Sequence, residues 1–392
     1  MLLSSLMSAL NWSAIPRPII ALSPMADMTD SAFCRVVQEV TDSYNQRFNL
    51  EASSQRVAVS RSPAGHAVAS DATSDLEGAS LTGPAATIAK SPLVMFREMV
   101  SAEAVVRGND KTFGMTAIHE AERPLVQQIF GSDPVTMAKA ANMIEAEHHP
   151  EGFDINMGCP VYKIVHNFNG AALMQNAELA GNIVKAMKAA ITVPLSVKIR
   201  LGWSEPTECV AFAQALEAAG ADLITVHGRT KLQGYSGVAD WRQVGEVKKA
   251  VSIPVLVNGD IHTAEKVVEA LKQSNADGVL IARGALGNPW IFAQINEVLA
   301  GLPITPVTIG ERLRVVRRHL DLHVEQYGES SVPTFRKHLS WYFKGLPHMK
   351  DYKEGMMKAS TKLELETILD AFLAVHNTTD STSYRPSVLT KK

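Results

Sequence analysis

The chain has 392 residues, 46% hydrophobic and 20% charged, with a formal net charge of −2. That balance excludes a disordered chain and a uniformly basic nucleic-acid wrapper, and the length allows two ordinary domains or one α/β barrel of roughly 250 residues with an appendage. The three cysteines, Cys34, Cys159 and Cys209, are widely spaced and form no C-x-x-C pair, so neither a disulfide framework nor a metal site is expected and a reducing cytoplasm fits best.

The apolar run from Met1 to Leu10 has no Lys or Arg ahead of it, and no stretch reaches the roughly 18 apolar residues of a membrane span. Neither a targeting signal nor a membrane segment is expected. The first β-like run is P-R-P-I-I-A-L-S-P-M from Pro16 to Met25, followed by Thr29, Asp30 and Ser31 as candidate caps for a helix through Val40. From Thr41 to about Lys90 the chain turns rich in Ser, Ala, Gly and Thr. This reads as a disordered or surface insertion, anomalous beside the 2 to 6 residues that usually join barrel elements.

The alternation then resumes. Apolar runs start at Pro92, Pro124, Gly152, Pro194, Ala221, Ile253 and Ala276, separated by Ala-rich helical stretches such as Pro134 to about Ala146. With the first run they make eight strands, rich in Val, Ile and Leu as a parallel sheet buried on both faces requires. Eight β-then-α units predict an α/β fold, a (β/α)8 TIM barrel over residues 1–305. An open doubly wound sheet is the alternative, weakened because no G-x-G-x-x-G follows the first strand.

Polar residues gather where these strands end. Met25, Gln128, Asn156, Cys159, Lys198, His227, Asn258, Asp260 and Arg283 fall at or just past the strand C-termini, the face on which barrel enzymes build their sites. Individually, Asn258 to Asp260 read equally well as a turn and Lys198 as an exposed strand end. The segment A-R-G-A-L-G, before a helix opening near Pro289, suits a phosphate cradle. Cys159 lies between Gly158, which allows close approach to the backbone, and Pro160, which ends the strand; a rigid corner or a buried structural thiol are both open from these residues alone.

The run D-I-N-M-G-C-P-V-Y-K-I from Asp154, S-P-M-A-D-M-T-D near the start, and V-Q-Q-I-F-G, V-K-I-R-L-G, T-V-H-G-R-T, V-N-G-D-I and A-R-G-A-L-G-N-P-W-I-F resemble the tRNA-dihydrouridine synthases over nearly the whole chain outside residues 41–90. The resemblance implies a flavoenzyme in which FMN, reduced by NADPH (NADH is the other candidate), reduces the C5–C6 double bond of uridines in tRNA. It implies that Cys159 donates the proton to C5, that Pro24, Met25, Ala26 and Gln128 line the isoalloxazine, and that Lys198 and His227 lie at its pyrimidine edge. Asn258, Gly259 and Asp260 match the ribityl-phosphate loop, and Ala282 with Arg283 the phosphate site, where the family usually has Gly-Arg. Asn156 and Lys163 are expected to contact substrate. An ordinary thiol is protonated at neutral pH, so the cysteine suits an acid rather than a nucleophile.

Residues 306–392 read as a helical appendage, with apolar spacing in E-R-L-R-V-V-R-R-H-L-D-L-H-V and F-R-K-H-L-S-W-Y-F-K-G-L-P. It holds 14 Lys and Arg against 10 Asp and Glu, net +4, which leaves −6 for the remainder. A basic end suits RNA phosphates, and the resemblance implies a tRNA-binding domain. Trp341, Tyr342 and Phe343 are expected in its core. A monomer is expected. The competing readings are an FMN barrel reductase of a free pyrimidine or small enone, and a non-catalytic tRNA-binding homologue.

Overall fold

A computed structural model of the chain describes residues 10–59 and 92–378. Eight parallel strands close into a barrel in chain order: β1 (Ile19–Leu22), β2 (Val94–Ser101), β3 (Leu125–Phe130), β4 (Gly152–Asn156), β5 (Leu195–Arg200), β6 (Leu223–His227), β7 (Val255–Asn258) and β8 (Gly278–Ile281), with β8 pairing back to β1. The helices are α1 (Ser31–Val59), α2 (Ala102–Val106), α3 (Asp110–Gly114), α4 (Pro134–His148), α5 (Tyr162–Val165), α6 (Ala177–Ala190), α7 (Glu208–Ala218), α8 (Trp241–Ala250), α9 (Ala264–Ser274) and α10 (Ile291–Leu299). Four more, α11 (Ile309–Tyr327), α12 (Val332–Tyr342), α13 (Met349–Lys358) and α14 (Lys362–Thr378), follow the barrel. All eight expected strands are present, and the closed sheet sets aside the open alternative.

Local chemistry starts the helices where the sequence changes period. Asp133 caps α4 by accepting from Thr136 N–H at 2.7 Å, with Pro134 in the first turn, and Asp240 accepts from Arg242 and Gln243 N–H at the start of α8. One expectation is corrected. The first helix does not stop at Val40 but runs to Val59; its buried stripe of Phe33, Val36, Val37 and Val40 carries on at helical spacing to Tyr44, within the stretch of polar composition. Residues 60–91 of the expected insertion, like the Met1–Leu10 run up to residue 9, lie outside the described residues.

Strand alternation separates two cores. Leu195, Val197, Ile199, Ile224, Val226, Val255 and Val257 face the surrounding helices in the larger core, while Ile19, Ala21, Val94, Phe96, Val126, Leu223, Leu256 and Leu280 fill the barrel floor and are closed from below by Trp12 and Ile15. By the same period of two, the inward positions nearer the strand C-termini are Gln128, Asp154, Asn156, Ser196, Lys198, Thr225, His227 and Asn258. The interior is therefore apolar at the floor and polar toward the mouth. Burying polar groups costs free energy wherever they lack a partner, and Thr225 Oγ1 is one that finds none among the described residues.

Helices α11 to α14 share the barrel's larger core rather than forming a separate one. Arg312 Nη1 donates to the carbonyls of Gly287 at 2.9 Å and Tyr342 at 3.1 Å, joining the loop after β8 to α12. At Gly287, φ is +66° and an added Cβ would stand 2.3 Å from the Trp341 carbonyl carbon, so only glycine allows this approach. Tyr342 and Phe343 are buried as expected, and Trp341 is partly buried beneath Lys344.

Candidate active site

The site is built from the loops that leave β1, β4, β5, β6, β7 and β8. After β1, Met25 N–H donates to Thr29 Oγ1 at 2.8 Å, and the N–H of Asp27, a residue at φ +61°, donates to Glu98 Oε2 at 2.7 Å. These bonds fix the turn that carries Pro24, Met25 and Ala26. Lys337 of α12 donates to the Asp27 carbonyl, so the helical segment also braces this turn.

After β4, the chain turns at Gly158-Cys159-Pro160. Asn156 Oδ1 accepts from the N–H groups of Gly158 at 3.2 Å and Cys159 at 2.9 Å, an Asx turn that sets the cysteine backbone. Ala171 N–H donates to the Cys159 carbonyl at 3.0 Å. Gly170, at φ +59°, lies so close that a Cβ there would meet the same carbonyl at 2.8 Å. Cys159 is the cysteine of the three that is partly exposed; Cys34 and Cys209 are buried, and burial raises both of their thiol pKa values, Cys209 to about 11. The rigid corner, rather than the buried structural thiol, is what folds. Lys163 is exposed on α5, past the corner, beside the exposed Tyr162.

Lys198 and His227 stand inside the mouth on β5 and β6. Neither side chain makes a hydrogen bond or ion pair among the described residues, and the His227 ring faces Tyr235 at 6.4 Å between centroids. Burial is the main cause that lowers Lys198 to about 8, with Arg200 adding to it and Asp154 and Cys159 opposing it. Burial also holds His227 well below the usual histidine range, reinforced by Lys198, Arg200, Arg229 and Arg283, so its imidazole is neutral at pH 7 and offers an N–H rather than a charge. Gly259, at φ +111°, makes room for that ring, since a Cβ would lie 2.6 Å from His227 Cδ2.

The loops after β7 and β8 are pressed together: a Cβ at Gly284 would meet the Ile261 carbonyl oxygen at 2.3 Å. Asn258 Nδ2 donates to the Leu280 carbonyl at 2.7 Å. The N–H groups of Gly259, Asp260, Arg283 and Gly284 donate to no acceptor among the described residues, and the Arg283 guanidinium is exposed beside them. That is a donor set for a phosphate. The Asp260 carboxylate is not part of it, because Arg229 engages both oxygens at 2.9 and 2.7 Å and Ala239 N–H adds a third bond; the position offers its backbone instead.

The structure thus brings Met25, Gln128, Asn156, Cys159, Lys198, His227, Asn258, Gly259, Ala282 and Arg283 to one end of the barrel and leaves Lys163 on its rim. It also shows residues the motif reading missed. Arg200, buried, donates to the carbonyls of Gly158 at 2.7 Å, Thr230 at 3.0 Å and Gly234 at 2.8 Å, tying the β4 loop to the β6 loop. Tyr235 is 60% exposed between the guanidinium groups of Arg200 and Arg283, at 5.6 and 5.1 Å. Asp154, buried, accepts from Gln128 and Ser196. Asp154 and Arg200 were findable, each two residues from a chosen position on the same strand; Tyr235 had no such signal. A separate cleft of about 210 Å³, lined in part by Gln38, Asp42, Arg123 and Asn296, lies away from these groups and gathers no comparable chemistry.

The family model described as Dihydrouridine synthase (Dus) matches residues 20–377. A Rickettsia conorii protein named "Probable tRNA-dihydrouridine synthase" is 37% identical over 286 residues, 72% of this chain and 86% of that protein. "Probable tRNA-dihydrouridine synthase 1" of Synechocystis is 37% identical over 71% of this chain and 78% of that protein, and a Mycobacterium leprae protein named "Probable tRNA-dihydrouridine synthase" is 38% identical over 70% and 73%. With the match extending from the first barrel strand to the last described helix, the chain belongs to the dihydrouridine synthase family.

Proposed function

We infer that the protein is a tRNA-dihydrouridine synthase that draws its reducing equivalents from NADPH through FMN. The observation that carries this reading is the pairing, at one barrel mouth, of a braced and accessible thiol at Cys159 with the uncompensated cation of Lys198 and the open N–H groups of the β7 and β8 loops. These groups fit FMN: the cradle takes a phosphate, Lys198 and the neutral His227 offer donors to the electron-rich edge of the ring system, and Gln128 with the Pro24–Ala26 turn supplies the walls. Bound and reduced there, FMN would supply the hydride for C6 of the uracil.

The chain's own residues do the rest. As negative charge builds on the uracil carbonyl conjugated to C5, the Cys159 thiol transfers its proton to C5, and the Asx turn at Asn156 keeps the sulfur where that proton is needed. Asn156 and Lys163 are the nearest candidates to hold the base and its neighbours. A uridine reaches this depth only when extruded from its stack, at a cost of a few kcal/mol that is least in a loop. Tyr235, and Tyr162 on the rim, offer exposed rings to unstacked bases.

Residues 306–392 are the proposed tRNA grip, but the ion pairs narrow the basic surface. Arg314, Arg317, Arg318, Lys358 and Lys362 are matched by Glu311, Asp370, Glu39, Glu354 and Asp321. Arg336 and Lys337 are held by backbone carbonyls and make no ion pair among the described residues, and Lys344, Lys350 and Lys353, which also make none, are the least engaged cations for phosphates. Arg385, Lys391 and Lys392, part of the +4 surplus, lie outside the described residues.

Anaerobic mixing of NADPH-reduced, FMN-loaded protein with unmodified tRNA tests the assignment. The wild type is expected to reoxidise and yield dihydrouridine, while Cys159→Ala accepts electrons from NADPH but forms little product. Flavin that stays reduced with every tRNA offered, yet is reoxidised by free pyrimidines, would replace this reading with the small-molecule reductase. A protein that takes up no flavin would make it a non-catalytic homologue.

A further inference from the structure

Beneath Cys159 a single file of hydrogen bonds runs down the barrel interior. The N–H groups of Gly158 and Cys159 donate to Asn156 Oδ1; Asn156 Nδ2 donates to Gln128 Oε1 at 2.9 Å; Gln128 Nε2 donates to Asp154 Oδ2 at 2.6 Å; and Ser196 Oγ donates to Asp154 Oδ1 at 2.6 Å. A carboxamide can sit either way round, and only its partners decide which end is the donor. At the top, backbone N–H groups can only donate, so Asn156 must present oxygen to them and its NH₂ to Gln128. Gln128 then presents oxygen upward and NH₂ downward. At the bottom, an ionised carboxylate can only accept, which demands the same direction. Both ends agree.

We propose that Asp154 is a positioning residue for the dihydrouridine synthase reaction: its carboxylate locks the direction of the Gln128 and Asn156 amides and thereby holds the backbone turn that aims the Cys159 thiol. The inference rests on the functional reading above. Its consequence follows from the donor count. A protonated Asp154 carries an O–H, which can donate to Gln128 Oε1 and so permits that amide to turn over. Gln128 would then set its NH₂ against the NH₂ of Asn156, and a turned Asn156 would set its NH₂ against the Gly158 and Cys159 N–H groups. Protonation at the bottom therefore loosens the turn at the top.

The surroundings put this event within reach of ordinary pH. Asp154 is fully buried, which raises its carboxyl pKa to about 6 against the opposing pull of the Ser196 and Gln128 hydrogen bonds and of Lys198. Of the other titratable or charged groups in this part of the barrel, Lys198 on β5 acts directly on the Asp154 carboxyl, and Arg200 on β5, His227 on β6, Glu98 within β2 and Cys159 complete the set; β3 contributes only the Gln128 amide. Asp154→Asn removes the titration while leaving those groups in place. The new carboxamide can still accept from Gln128 and turn its NH₂ to Ser196, whose hydroxyl has the Phe153 carbonyl at 3.2 Å as an alternative acceptor.

Two measurements test the proposal. The first is the pH profile of kcat for dihydrouridine formation. Wild type should show an acid limb with a midpoint near 6 and a fall of up to about tenfold per pH unit below it, the limit for one ionisation. That limb should disappear in Asp154→Asn and move to higher pH in Ser196→Ala, which takes a hydrogen bond from the carboxylate. The second needs no turnover: the rate of Cys159 alkylation by iodoacetamide, read by peptide mass, as the ratio of wild type to Asp154→Asn. Each rate is divided by that variant's own thiolate fraction, read from thiolate ultraviolet absorbance at the same pH, and the corrected ratio should be constant above pH 7 and change several-fold below pH 6. A constant ratio from pH 5 to 8, or an acid limb unmoved in both variants, overturns the proposal. If the wild type forms no dihydrouridine, the functional reading fails, while the alkylation ratio still decides whether Asp154 governs the cysteine turn.

Discussion

Gly259→Ala is a perturbation whose cost can be worked from the structure. The residue sits at φ +111°, a conformation that an L side chain adopts only under strain of about 1–3 kcal/mol. The added methyl would also lie 2.6 Å from His227 Cδ2 and 2.9 Å from Ala239 Cβ. Neither neighbour is a flexible tip: His227 is buried in the mouth and Ala239 begins the turn held by Asp260, so overpacking adds about 1–3 kcal/mol. The expected loss is about 2–4 kcal/mol with partial relaxation, read as a lower urea midpoint at unchanged m-value, together with weaker FMN binding by fluorescence titration because the His227 ring is displaced. Gly181→Ala is the control. That glycine lies within α6 with only Ala219 Cβ nearby, at 3.7 Å, so alanine should be neutral or stabilise by up to about 1 kcal/mol through helix propensity. A Gly259→Ala protein within about 0.5 kcal/mol of wild type, the range of an ordinary surface substitution, would refute the reasoning.

Lys198→Met should slow NADPH-dependent flavin reduction by about 10²-fold, the scale of losing one preorganised electrostatic group, with little change in the folding midpoint; stopped-flow absorbance reads it. Arg312→Met leaves the Gly287 and Tyr342 carbonyls without their donor and should cost about 2–4 kcal/mol, with hydrogen exchange rising first in α12. The histidines between α1, α11 and α12 predict acid lability. His319 and His338 are held well below the usual histidine pKa, and His323 below it, chiefly by burial. A folded-state pKa below the unfolded value of about 6.5 means that stability is complete above pH 6.5 and lost as pH falls beneath it. Asp154, raised by burial, works in the opposite direction, so the comparison is with His338→Phe, which can stack on Phe33 as His338 does and should flatten the fall in urea midpoint between pH 7 and 5.

The sequence by itself determined the barrel, because most strands are short apolar runs rich in Val, Ile and Leu and bounded by Pro or Gly, and eight such runs separated by capped helices leave few ways to bury both faces. It also determined which residues lie at the mouth, since strand C-termini are where the apolar runs stop. Where it failed, the information was not local. The end of α1 was misplaced because the polar composition after Val40 hid a helix whose buried stripe, continuing at least to Tyr44, packs on α11, which lies nearly 300 residues away in the chain. The direction of the Asp154–Gln128–Asn156 chain, the two loops joined by Arg200, and the capture of the Asp260 carboxylate by Arg229 depend on which inward positions of neighbouring strands share a layer. Strand register is a property of pairs, so only the closed barrel could decide it. The basic surplus at the C-terminal end shows the same limit: charge can be counted along a chain, but whether an arginine is free or already paired depends on what the fold sets opposite it.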